Sequence, residues 1–97
     1  MRLNFSVEIW FWKGPSPFHF VTVPEAESVE LRAVSSLASY GWGVIPVTAK
    51  VGRTSWETSL FPKNGGYLVP VKVSVRNVEG LELGDTVAVT LTVGVSH

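Results

Sequence analysis

Residues 3–12 alternate without a break, with Leu3, Phe5, Val7, Ile9 and Phe11 on one side and Asn4, Ser6, Glu8, Trp10 and Trp12 on the other. A period of two sends successive side chains to opposite faces, so this segment predicts a half-buried β-strand. The KGPSP stretch (13–17) brings two prolines and a glycine that break the strand into a loop, and FHFVTV (18–23) resumes it as the second arm of a hairpin.

From Pro24 the period lengthens. Val29, Ala33, Leu37 and Tyr40 recur at helical spacing, Leu31, Val34 and Ala38 widen the apolar stripe, and Glu27, Glu30 and Arg32 face away. Ser28 is the expected N-cap, because its hydroxyl can accept from an orphaned backbone N–H, and nearby acidic residues suit the positive end of a helix. Gly41 is the expected stop.

Two further strands, VIPVTAKV (44–51) and SWETSLF (55–61), flank a tight GRTS turn (52–55) in which Gly52 can take positive φ. Pro46, inside the first of them, predicts an edge position or a bulge. PKNGG (62–66) is the strongest turn signal in the chain, since Asn-Gly favours the primed turns that match strand twist, and a fifth strand starts at Tyr67. LGD (83–85) predicts a turn before TVAVTLTV (86–93), whose Val87, Val89, Leu91 and Val93 point inward. Between these strands two patterns compete. Val69, Val71, Val73 and Val75 alternate as in a strand, whereas KVSVRNVEG places Val71, Val75 and Val78 on one helical face and ends in Gly80 at a C-cap position. The helical pattern predicts a short turn of helix over about residues 72–78.

Composition narrows the class. The 97 residues, 45% hydrophobic and 16% charged, make one globular domain (1–97) able to bury a core without metals or disulfides. Eight basic residues balance eight acidic ones, which argues against the long-range positive field of a nucleic-acid binder. The absence of cysteine removes disulfide scaffolding, thiolate catalysis and sulfur-ligated metals. Asn4, Ser6 and Glu8 interrupt the N-terminal apolar run, so no signal peptide is expected. The longest uncharged window, around 33–49, holds Gly41, Gly43 and Pro46 and does not make a membrane span, so a soluble cytoplasmic protein is expected.

The second half of the chain carries a family pattern: Gly41, Trp42, Gly43, Pro46 and Val47; Trp56, Thr58, Ser59, Leu60, Phe61 and Pro62; Gly66, Tyr67, Pro70, Val71 and Lys72; Arg76; then Gly80, Leu81, Gly84, Asp85, Val87 and Val89. These spacings, with an aromatic N-terminal strand and a helix opening on Pro24-Glu25, resemble the bacterial and archaeal family catalogued as domain of unknown function nineteen-oh-five, over nearly the whole chain. The resemblance implies a mainly β fold, a small double-split β-barrel of about six strands with one substantial helix and one short helical turn covering the barrel ends. It implies little about activity. Some longer relatives place this domain ahead of one of the bacteriocin-protection type, which this sequence lacks. The wider fold includes the AbrB and MazE transcription factors, DNA-binding dimers that share the logic carried here by Arg76, Gly80, Leu81, Gly84 and Asp85, an analogy of fold alone. The family ordinarily has an alanine-rich stretch around the arginine, where this chain has valines.

Trp10 and Trp12 are the first candidates for a binding surface, as large aromatics on the polar side of a strand. The competing reading packs the helix over that face or curls the barrel so that both faces are covered. Trp42 and Trp56 are expected to pin the fold. Lys72 and Arg76, four apart, would share one face of a helix and could hold a carboxylate or phosphate; alternatively Arg76 pairs internally with Asp85, Glu79 or a row of carbonyls. Arg53 and Lys63, at hairpin tips, read as solvated charge. Asp85 reads as a turn residue bonding local N–H groups. His19 sits between Phe18 and Phe20 with no acidic neighbour in sequence, and His97 is terminal, so neither a Ser-His-Asp triad nor a metal site is expected, and no cofactor. Glu57 has no partner for general-base work.

The chain is therefore expected to be a non-enzymatic binding or interaction module, monomer or homodimer, presenting Trp10, Trp12, Lys72 and Arg76 to a small ligand or protein partner, with no membrane. The alternative is a dimeric nucleic-acid binder using Arg53, Lys72 and Arg76, and a weaker one an unidentified enzyme.

Overall fold

In the computed structural model, which describes residues 1–12, 18–38 and 45–93 (for 12, 18 and 34–38 the backbone alone), the alternating N-terminal segment is one long strand, β1 (Arg2–Trp12). The chain continues through β2 (Phe18–Thr22), α1 (Glu25–Ala38), β3 (Ile45–Val51), β4 (Thr54–Lys63), β5 (Gly66–Val71), α2 (Val73–Glu79) and β6 (Thr86–Val93). The six strands close into an antiparallel barrel in the order β1-β2-β5-β4-β3-β6, which removes the exposed edges of an open sheet.

The two longest strands change partners midway. β1 pairs with β6 through Arg2–Glu8 and with β2 through Ile9–Trp12. β4 pairs with β3 through Thr54–Leu60 and with β5 through Phe61–Lys63. Each is shared between two sheets, and these two splits make the double-split barrel. Where β1 leaves β6, the LGD turn keeps its backbone satisfied: Ile9 N–H donates to the Asp85 carbonyl at 3.0 Å, and Gly84 N–H donates to the Ile9 carbonyl at 2.9 Å.

Alternation sorts the core. Leu3, Phe5 and Ile9 of β1, Val47 and Ala49 of β3, Leu60 of β4, Val69 of β5, and Val87, Val89, Leu91 and Val93 of β6 are buried together. The β4–β5 turn is as expected, with Asn64 at φ 52° and Gly65 at φ 80°, positive at both central positions as a type I′ turn demands. β3 is an interior strand, flanked by β4 and β6, so Pro46 does not mark an edge strand; the β6 ladder covers Val47–Val51 and leaves Pro46 just beyond it, where no N–H is needed on that side.

Both helices differ in detail from expectation. α1 starts at Glu25, and Ser28 N–H donates to the Pro24 carbonyl at 2.9 Å. Ser28 therefore lies inside the first turn and does not cap it. This register turns Ser28 and Leu31 inward, whereas Val29 is half exposed and Ala33 exposed. The expected stop at Gly41, and Tyr40 and Trp42, lie outside the described residues, as do the side chains of Val34, Leu37 and Ala38. The short helix exists and ends at Gly80, whose N–H donates to the Arg76 carbonyl. Its buried contact is Val75; Val71 still belongs to β5, and Val78 is 72% exposed, so the expected Val71-Val75-Val78 face is not formed.

Candidate functional site

The outer surface of the β1–β2 hairpin, the first turns of α1 and the β4–β5 turn enclose a groove of about 930 Å³. Trp10, Thr22, Glu25, Ser28, Arg32 and Lys63 line it, with Val23 and Leu68 as its buried apolar lining. Trp10 falls on the polar side of β1, opposite Phe20 of β2. Its indole is half buried, 5.4 Å from the Phe20 ring and tilted by 34°, and its Nε1–H donates to Thr22 Oγ1 at 2.9 Å. That bond occupies the one polar group of the indole and leaves its π surface for the groove.

Across the groove, residues 28 and 32 stand one helical turn apart on the same side of α1. Ser28 is buried and its hydroxyl donates to the Val23 carbonyl at 3.2 Å, fixing α1 to the end of β2. Arg32 is exposed, as expected of the polar side of α1, and its guanidinium donates to the Gly65 carbonyl, which ties the helix to the β4–β5 turn. Lys63, read from sequence as a solvated tip, belongs to the same wall. Nothing in the local sequence puts Arg32 and Lys63 on one wall; the docking of α1 on the β4–β5 turn does.

Arg76 lies elsewhere. Successive residues of a strand face opposite ways, so Trp10 and Phe20 are outside the barrel wall while Phe11 and His19 are on its inner side, at the barrel end. There the Arg76 guanidinium meets the His19 ring, Nη1 being 2.9 Å from Nδ1 and 3.0 Å from Nε2, and Phe11 contacts His19 edge-on with centroids 4.9 Å apart. The expected internal partners were Asp85, Glu79 or carbonyls; the partner is His19 of β2, which the long arginine side chain reaches while α2 itself packs against β4. His19 is held below its ordinary pKa by burial and by the neighbouring Arg76 charge. Arg76 Nε is buried without a hydrogen-bond partner.

The family described as "Domain of unknown function (DUF1905)" matches residues 5–91. The chain belongs to this family. A comparison with curated proteins gives no match.

The remaining predicted residues of this DUF1905 chain scatter around the barrel. The wall between them separates Trp10 from Arg76, so the four speculative binding residues do not form one site. Lys72 is exposed and extended (φ −66°, ψ 148°) just before α2, and Trp12 has no described side chain. Arg53 is exposed at the β3–β4 turn; its backbone N–H donates to Glu79 Oε2 at 3.2 Å. Trp56 is buried and its Nε1–H donates to the Pro70 carbonyl at 3.2 Å, a pin between β4 and β5. Asp85 Oδ2 accepts from Glu82 N–H at 2.8 Å, as a turn residue should. Among the described residues no three His, Asp or Glu side chains gather as metal ligands. No helix among them is long and apolar enough to cross a membrane.

Proposed function

We propose that this DUF1905 chain is a non-enzymatic binding module whose ligand occupies the groove between Trp10 and α1. The observation that carries this reading is the position of Trp10, whose indole is fixed by Phe20 and Thr22 while its remaining surface forms a wall of a groove of about 930 Å³. That volume falls in the range of small-molecule sites, roughly 300–1,000 Å³. A wall that mixes a rigid aromatic with a few polar side chains is the usual construction of such sites.

The test is native mass spectrometry on protein gently purified from its own host, alongside Trp10→Ala. The expected result is extra mass on the wild type that is lost in the variant, with the variant still folded. A Trp10→Ala melting temperature lowered as far as that of Leu60→Ala, which empties the middle of the core, would assign the indole to packing and sink the reading. The nucleic-acid alternative draws less support, because Arg76 is engaged by His19 on the other side of the barrel wall and leaves Arg53 and Lys72 as the exposed cations of the expected set.

A further inference from the structure

We infer that the groove selects a planar aromatic monoanion, an aromatic carboxylate being the simplest example; this rests on the groove being a binding site at all. Three features define the class. The first is charge. The chain as a whole is neutral, but the groove is lined by Arg32 and Lys63 against the single carboxylate of Glu25, a local excess of one positive charge. One negative charge on the ligand neutralises it, whereas a dianion would overshoot and a cation would be repelled.

The second is shape. The Trp10 indole is held in place by its Nε1–H bond to Thr22 and its contact with Phe20, so it presents a fixed flat surface. A planar ring stacks on such a surface at little entropic cost, because neither partner has rotors to freeze. Val23 and Leu68, both buried, add apolar surface to the same groove. The third is the position of the cations. Arg32 is anchored to the Gly65 carbonyl and Lys63 ends β4 beside that same turn, so both cations belong to the β4–β5 end of the groove, whereas Trp10 belongs to its β1–β2 side. The ligand must therefore carry its ring at one end and its anion at the other. The Arg32 guanidinium is a fork suited to a carboxylate, and the Lys63 ammonium adds a point charge.

The experiment is a titration of the full chain with indole-3-acetate, its uncharged amide indole-3-acetamide, and inorganic phosphate, followed by the NMR signal of the Trp10 indole N–H. Indole-3-acetate is expected to shift that signal saturably, the amide to bind at least about tenfold more weakly, as loss of a charge-assisted hydrogen bond implies, and phosphate to leave it unmoved. Lys63→Gln should weaken the acid about tenfold and leave the amide unchanged, and this variant replaces neither partner of the Ser28–Val23 and Arg32–Gly65 bonds that hold α1. Equal binding of acid and amide would overturn the charge selection while the binding reading stands. Binding of phosphate as tight as the acid would overturn the aromatic requirement. No shift with any probe would overturn the ligand class, and the mass retained on protein from its own host then decides the binding reading separately.

Discussion

Nη1 of Arg76 is almost equidistant from the two ring nitrogens of His19, 2.9 Å from Nδ1 and 3.0 Å from Nε2. In the plane of the imidazole, a point so placed would collide with the ring carbon between those nitrogens. The amine therefore lies over the ring face, a cation resting on a π surface. Such a contact tolerates a neutral imidazole and opposes an imidazolium.

This geometry sets a pH dependence. Burial first, and the Arg76 charge second, hold His19 below its ordinary value of 6.5. In the unfolded chain the ring takes up its proton near that value, and in the folded chain only at lower pH. The stability associated with the neutral ring is thus fully present above the unfolded pKa and is lost as pH falls through it toward the native pKa. An NMR titration of His19 should give a midpoint under 6.5, moving upward in Arg76→Gln. A midpoint unchanged by that substitution would show that the arginine does not set it.

A second coupling joins α2 to the β3–β4 turn. Glu79 accepts from Arg53 N–H at 3.2 Å and from the Thr54 hydroxyl at 2.5 Å. Gly52, at φ 61°, lies so close that a β-carbon there would fall 2.1 Å from Glu79 Oε1. Gly52→Ala should cost about 1–3 kcal/mol from backbone strain, and more from the displaced carboxylate. Glu79→Ala alone should cost about 1–3 kcal/mol for the lost bonds. In the double variant the steric part disappears, so the two costs should fall short of additive by about 0.5 kcal/mol or more in urea unfolding. Strict additivity would mean that the turn shifts away from α2 without resistance. Gly66→Ala is the control, since its nearest neighbour, Ser28 Oγ, would be 3.6 Å away, an ordinary contact.

What the sequence made legible was mostly local. Alternation placed β1 and β6 and the inward set Val87, Val89, Leu91 and Val93, and Asn64-Gly65 placed its turn, because period and turn chemistry are properties of neighbouring residues. The short helix was legible from Gly80 and the spacing of KVSVRNVEG, but not the face it buries, since a two-turn helix leaning on a curved wall fully buries one residue, Val75, and reaches the wall otherwise through the polar ends of Arg76 and Glu79. The same limit applies to α1, where Leu31 of the expected apolar stripe is buried but Val29 and Ala33 are exposed, and the start at Glu25 turns Ser28, the expected cap, inward. The groove was half legible: Trp10 stood out as an aromatic on a polar face, while Arg32 and Lys63 gave no sign of sharing a wall, because only the docking of α1 on the β4–β5 turn brings them to it. The separation of Trp10 from Arg76 also needed the register of β2 against β1.

The single buried side chain of α2 makes a sharp contrast between two valines. Val75 is 3% exposed and Val78 is 72% exposed. Val75→Ala removes two buried methyl groups and should cost about 1.5–2.5 kcal/mol, at roughly 0.8 kcal/mol per buried carbon plus a cavity contribution. Val78→Ala should change stability by no more than about 0.5 kcal/mol, with a small gain from the better helix propensity of alanine. Denaturant unfolding of the two variants checks this. Equal costs would mean that the helix rolls to present both side chains.

Ser28 is the only buried polar side chain among the described residues, at 2% exposure, and it joins α1 to the rest of the molecule. Its hydroxyl donates to the Val23 carbonyl at 3.2 Å, at the point where β2 gives way to the helix, and its residue lines the groove. Ser28→Ala keeps the volume nearly constant and deletes the donor, so the Val23 carbonyl loses a partner at a cost of about 1–2 kcal/mol. Ser28→Val restores no donor and adds bulk toward Gly66, so overpacking adds to the same loss. Thermal melts should therefore rank wild type above Ser28→Ala and Ser28→Ala above Ser28→Val. A valine variant as stable as the alanine one would show spare room beneath α1, and the groove would then extend deeper than the position of Ser28 implies.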